Sequence, residues 1–238
     1  MSLVLAVKDK NRVILGSDKQ SSIGSTKDHT CTKIWQVPDL PGALMGSVGS
    51  ARVSQIIQYA YVIDKNAFKT EPTTEFVITA LGPTILNALK LNGIDLDPGE
   101  GANLPIMPNA FIFAYKDKAW MIWNDLSVTE INDYLAIGSG SDVANGALFA
   151  TKGKNPFERI ITAIDAAADS TLFVDNGVDL LATIPYKDDQ RLIEKAFGKD
   201  DILKTVLEEI KKVQAEEEKT ETKPKSVKKK PKKATPKE

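Results

Sequence analysis

The stretch "SLVLAVKDKNRVILGSD" (residues 2–18) decides the reading of this chain. Two runs rich in aliphatic and β-branched residues, LVLAVKD and RVILGSD, flank Lys10-Asn11, a pattern that predicts two antiparallel strands joined by a tight turn. The first strand starts directly after Met1, so Ser2 stands at the mouth of the fold. Downstream, "KIWQVP" (33–38) and "GALMGSV" (42–48) read as two more short strands. They are joined through Asp39-Leu40-Pro41-Gly42, where Pro and Gly suit a turn.

Helical periodicity follows. Val53, Ile56, Ile57, Ala60, Tyr61 and Ile63 recur at three- and four-residue spacing from Ser50 to about Lys65. A second amphipathic stretch runs from Thr73 to Leu91 through Phe76, Val77, Ala80, Leu81, Ile85, Leu86 and Leu89, with Pro83 expected to kink it. "GIDLDPGEGANLPIMP" (93–108) has the Gly, Pro and Asp density of a loop. Strands resume in "AFIFAYKDKAWMIW", turning at Lys116-Asp117, and in "YLAIG". Residues 141–151 and 156–169 read as helices, "TLFVD" and "VDLLATI" as strands, and Asp188 to about Glu216 as one or two terminal helices. Strands, helices, strands, helices, strands is a segregated, internally doubled order. It favours helices outside packed antiparallel sheets over a βαβ alternation.

The chain has 238 residues, 42% hydrophobic and 26% charged, which suits an ordinary globular domain with a full core. No apolar run approaches the roughly 20 residues of a membrane helix, and Lys8, Asp9 and Lys10 interrupt the opening apolar run as a secretory signal would not. The single cysteine, Cys31, has no internal disulfide partner. A cytoplasmic protein without membrane contact is expected. Residues 219–238 hold nine Lys against Glu221 and Glu238, a balance of +7, while the whole chain carries −1 and the remainder therefore −8. The segment 216–238, with three prolines and almost no apolar residue, is expected to be a disordered Lys-rich tail beyond a domain of residues 1–215. It reads as a docking tail for a polyanion or as a solubilising extension; lysine runs without interleaved aromatics make nucleic-acid binding an unfavoured reading. His29 stands alone and "GEGANLP" lacks a strand-to-helix context, so neither a metal, a nucleotide nor any other cofactor is expected.

"SLVLAVKDKNRVILGSDKQSSIGSTKDHTCTKIWQV" resembles the start of a mature proteasome β subunit, and still more the bacterial proteasome-like peptidase that works with a hexameric unfoldase. Ser2, in place of the usual Thr, Asp18 and Lys33-Ile34 occupy the positions of that superfamily's N-terminal nucleophile, acid and lysine. "LMGSVGSA" resembles the glycine turn that supplies an oxyanion donor, and "AIGSGSDVANGALFA" the serine-glycine loop with its following helix. "AIDAAADSTLFV" resembles the segment carrying a second acid, here Asp165. The resemblance implies the N-terminal nucleophile hydrolase fold, a four-layer αββα sandwich of two antiparallel sheets flanked by helices.

It also implies roles. Removal of Met1 would leave Ser2 with a free α-amine of solution pKa about 7.7–8.0, so that nucleophile and base belong to one residue. Lys33 would keep that amine neutral and stabilise the forming alkoxide, and Asp18 would hold Lys33 charged and oriented; a plain structural ion pair is the alternative. Gly46 is the candidate oxyanion donor, or simply a tight turn. Ser139 resembles the serine that contacts the terminal amine, or caps the next helix. Met45 lines a substrate pocket or fills the core, and the Ser22 backbone would pair with an extended polypeptide substrate. The implied activity is peptide-bond cleavage through an acyl-enzyme, in a homo-oligomeric ring with an unfoldase as partner. Transpeptidation at the same site and a catalytically silent scaffold subunit are the alternatives.

Overall fold

The computed structural model describes residues 2–23, 26–29, 31–38, 40–60, 71–94, 96 and 106–197. The expected helix beyond residue 60, most of the loop 93–108, the region after 197 and the tail 216–238 lie outside the described residues. The opening hairpin forms as read: β1 (Leu3–Asp9) and β2 (Arg12–Asp18) pair antiparallel, with Lys10 turning the chain at a left-handed φ of 56°. β10 (Tyr134–Gly138) joins the free edge of β1, and β11 (Val178–Ala182) that of β2, giving the sheet order β10-β1-β2-β11. The second sheet runs β5 (Ile34–Gln36), β6 (Ala43–Gly49), β7 (Asn109–Tyr115), β8 (Lys118–Ile122) and β9 (Val128–Glu130). A small hairpin, β3 (Ser21–Ile23) with β4 (Thr26–Asp28), stands apart from both and was not anticipated from the sequence.

Side-chain alternation along the strands builds three apolar layers. Val4, Ala6, Val13, Leu15, Leu44, Ile112 and Ala114 fill the space between the sheets. Leu3, Leu5, Val7 and Ile14 face the other way, against Phe157, Ile160, Ala163, Ile164 and Ala167 of α5 (Pro156–Ser170) and Ala144 and Leu148 of α4 (Ser141–Ala150). On the second sheet Ala43, Met45, Phe111 and Phe113 pack under Val53, Ile56 and Ile57 of α1 (Ala51–Tyr59) and under Val77, Leu81, Ile85 and Leu89. Helices, sheet, sheet and helices make a four-layer αββα sandwich.

Two local differences from the sequence reading have plain causes. The helix runs on through Pro83 and widens just ahead of it. Between α2 (Thr74–Phe76) and α3 (Gly82–Leu91), residues Val77–Leu81 form a π-helical turn in which the Gly82 N–H donates to Val77 O, a widening next to the residue that lacks an N–H of its own. "TLFVD" is not a strand: Leu172 and Phe173 are 76% and 40% exposed, and the segment is the turn that leaves α5, whose last residue before Thr171 is Ser170. After β11 the last described element is α6 (Asp189–Phe197).

Candidate active site

The hairpin register fixes the first feature of the site. With Val4 opposite Ser17, Asp18 falls beside Leu3, and its Oδ1 accepts the Leu3 N–H at 2.8 Å. Asp18 is fully buried, and its Oδ2 accepts the Gln20 N–H at 3.1 Å. Lys33, one residue ahead of β5 and 2% exposed, donates from Nζ to Asp18 Oδ1 at 2.5 Å and to Gln20 O at 2.6 Å. An ammonium has three donors. The third has no partner among the described residues, and Lys33 lines a cavity that also borders Ser2. Burial pushes the Asp18 carboxyl above the ordinary carboxylate range; the Lys33 charge and bond, and then the Leu3 N–H, draw it down without cancelling that effect.

Ser2 is seated through its backbone. Its carbonyl accepts the Ser139 N–H at 2.8 Å, in the turn after β10. Gly138, at φ 98°, lies so close that a Cβ there would collide with Ser2 O, so the approach needs glycine. Position 2 shares the alternation of Val4 and Ala6 and therefore belongs to the face between the sheets. Two cavities meet at this half-buried residue. One, of about 500 Å³, is bounded by Ser21, Ser22, Lys33, Ser47, Gly49 and Ser54 among others. The other, of about 590 Å³, is bounded by Val48, Gly49, Met107, Pro108, Trp123 and Ser139 among others.

Ser2, Asp18, Lys33, Ser139 and Ser22 are thus brought together, Ser139 through its main-chain N–H. It does not cap α4; the N-cap is Gly140, without a side-chain bond. Three candidates fall elsewhere. Gly46 lies in mid-strand between Ile34 of β5 and Ile112 of β7, with both main-chain groups facing neighbouring strands, and a Cβ on it would meet Val4 Cγ1 at 2.7 Å. Met45 is fully buried in the core under α1 and lines neither cavity. Asp165 lies on the exposed side of α5, opposite the buried Ala163, Ile164 and Ala167. It bonds to no described residue and borders neither cavity.

Other residues stand at the rim around Ser2 and Asp18. Gly49 ends β6 at φ 121°, where a Cβ would collide with Pro108 O, and it borders both cavities with Ser2. Asn109, 2% exposed, fixes that corner: Oδ1 accepts the Ser50 N–H at 2.9 Å, and Nδ2 donates to Ser50 O at 3.1 Å, Ser47 Oγ at 2.9 Å and Ser54 Oγ at 3.1 Å. The acid near Asp18 is Asp175, in the turn after α5. It accepts the Lys19 N–H at 3.0 Å, meets His29 Nδ1 at 2.5 Å, and adds its field to the upward shift of Asp18. The glycine in "VGSAR" just ahead of the helical period was the available signal for Gly49; nothing in the sequence marks Asn109. Among the described residues no group of three or more His, Cys, Asp or Glu side chains could hold a metal ion, and no helix is long and apolar enough to cross a membrane.

No family model matches the chain, and no curated protein matches it. Solved structures do. Thiobacillus denitrificans BPH, a bacterial proteasome homologue, superposes with a TM-score of 0.61 at 21% identity, over 76% of this chain and 96% of that one. The same protein in complex with Epoxomicin gives 0.59 at 20% identity over 77% and 100%. HslV from Trypanosoma brucei gives 0.52 at 17% identity over 76% and 98%. The four layers, their strand order and these superpositions together place the chain in the αββα fold of the proteasome-like N-terminal nucleophile hydrolases.

Proposed function

We propose that the chain is a peptidase of the proteasome type that cleaves peptide bonds through an ester on Ser2. One observation carries the reading: residue 2 is held through its carbonyl at the junction of two cavities, one of them also lined by a buried lysine that has a donor without a partner among the described residues.

Hydrolysis of the Met1–Ser2 bond frees the Ser2 α-amine. In its neutral form the amine takes the proton from Ser2 Oγ as Oγ adds to the substrate carbonyl carbon, and the carbonyl electron pair moves onto oxygen. The Gly49 main-chain N–H at the cavity junction receives that oxyanion, the role first expected of Gly46. Collapse breaks the C–N bond, and the departing amine leaves with the proton held by the α-ammonium. Water then adds to the ester, the α-amine again relays the proton, and Ser2 Oγ is restored. The Lys33 charge keeps the α-amine neutral and stabilises the charge growing on Oγ, while Asp18 holds Lys33 in place.

The assembly that goes with this reading is a homo-oligomeric ring whose sites face an enclosed chamber, supplied by an unfoldase. Val143 and Phe149 of α4 and Leu172 beyond α5, 40%, 65% and 76% exposed, offer apolar surface for contacts between copies. The test is the intact mass of the native chain together with peptide hydrolysis by Ser2→Ala. Loss of Met1 and a fall in rate of about 1,000-fold or more are expected. Undiminished turnover by folded Ser2→Ala overturns the mechanism, and joined products formed in the presence of a peptide amine would identify acyl transfer instead of hydrolysis.

A further inference from the structure

The two cavities at Ser2 differ in chemistry. The second presents Val48, Met107, Pro108 and Trp123. The first presents hydroxyls and amides: Ser21, Ser22, Thr32, Ser47, Ser54 and Gln55. Its floor is pre-oriented. Ser47 is 2% exposed, its Oγ lies 3.0 Å from Ser54 Oγ, and both are tied to the buried Asn109 Nδ2. The two charged residues lining it, Lys33 and Asp28, have opposite signs, and Lys33 is already bonded to Asp18 and Gln20. Among the described residues strand β3 pairs with β4 alone, and its other edge has the hydrogen-bonding groups to receive an extended chain, which would alternate its side chains into and out of the cavity.

We infer that this polar cavity selects an uncharged hydrogen-bonding side chain, Gln or Asn foremost, next to the bond that is cleaved. The inference rests on the peptidase reading and adds the substrate class to it. An amide offers donors and acceptors together, matching hydroxyls held in fixed positions. An apolar side chain of the same length would displace water from those hydroxyls and replace none of its bonds. A charged one would lose more hydration than neutral hydroxyls and amides return, and the buried cation of the lining is already matched in charge by Asp18.

The experiment is digestion of a peptide mixture in which every residue type flanks potential cleavage bonds, with products sequenced by mass spectrometry so that both flanks are read. Cleavage beside Gln is expected to exceed cleavage beside Met, its apolar match in length, by about tenfold in kcat/KM. The variant Thr32→Val/Gln55→Leu, changed at two exposed positions of the lining, should bring that ratio close to one. Equal or faster cleavage beside Met, Leu or Phe by the unmodified chain overturns the inference and leaves the peptidase reading standing. If no peptide is cleaved, the peptidase reading fails. Binding of two capped peptides, differing only as Gln or Met, to Ser2→Ala then decides the inference by itself: tighter binding of the Gln peptide keeps it, and equal binding overturns it.

Discussion

The two ends of the β1–β2 hairpin each bury an ion pair, and the two pairs are built for different work. At the turn end Arg12, 1% exposed, donates from Nε to Asp9 Oδ2 at 3.0 Å and from Nη1 to Asp189 Oδ2 at 2.6 Å and Ile184 O at 3.2 Å. Its guanidinium stacks 3.9 Å from the Tyr186 ring centre and 5.7 Å from that of Phe157. Burial works against this charge, but the bonds and fields of Asp189 and then Asp9 outweigh it, so the Arg12 pKa is raised. The cation is enclosed by aromatic faces and fastens the start of α6 to the sheet. At the open end Lys33 is equally buried, has no third partner among the described residues and lines the cavity that borders Ser2, and its partner Asp18 is shifted toward the neutral form. A buried cation held between two aromatic rings and two carboxylates is architecture. A buried pair whose cation lines the same cavity as Ser2 is placed for chemistry.

The largest effect should come from Lys33→Met. It leaves the Asp18 carboxylate buried without its cation, at a cost of about 3–5 kcal/mol, and removes the positive charge from beside Ser2, so peptidase activity should fall at least about 100-fold in whatever protein remains folded. Thermal unfolding and kcat on the folded fraction check the two parts; full activity in folded Lys33→Met would erase the distinction between the ends. Next is Arg12→Met, which strands Asp189 and should cost about 3 kcal/mol, with early proteolytic release of α6 and an unchanged kcat. A selective loss of kcat with stability intact would show that the turn end also serves the chemistry.

A pH profile gives a smaller, sharper effect. Because the folded Asp18 pKa lies above its unfolded value of 3.8, the folded state holds that proton more tightly, and ionisation costs stability as pH rises from 3.8 to the folded pKa. Activity runs in the opposite sense. As pH falls through the folded pKa, Asp18 becomes neutral and Lys33 loses its counter-charge. Besides the limb set by protonation of the Ser2 α-amine, the acid side of kcat/KM should therefore carry a second limb above 3.8 that Asp18→Asn removes; a second limb at or below 3.8 contradicts the assignment. The smallest effect is expected at an exposed control that shares no bond with either pair: Lys154→Ala breaks a pair with Glu158 at 2.6 Å, and the melting temperature should stay within measurement error.

The parts of the molecule legible in the sequence are those fixed by local turns. Lys10-Asn11 sets the hairpin register, and that register alone brings Asp18 to the beginning of β1; the four layers follow from apolar periods of two and of about four residues. What the sequence does not place is what depends on where an element ends relative to its neighbours. "GSVG" holds two glycines three residues apart, and only the pairing of β6 with both β5 and β7 shows that Gly46 is interior and Gly49 is at the rim. Asp165 lies two residues from the inward-facing Ala163 and Ala167, a helical phase that turns it outward. Asp175 escaped notice because "TLFVD" has the composition of a strand, and only the exposure of Leu172 and Phe173 reveals the turn that carries this acid to Lys19.

Ser139 grips the Ser2 carbonyl and Asp18 grips the Leu3 amide, so the anchoring of the chain's beginning asks nothing of the side chain at position 2. The socket is blind to what it displays. Under the proposed mechanism, threonine or cysteine there would leave both anchoring bonds in place, and the intensity of the chemistry would follow the atom chosen rather than the frame around it.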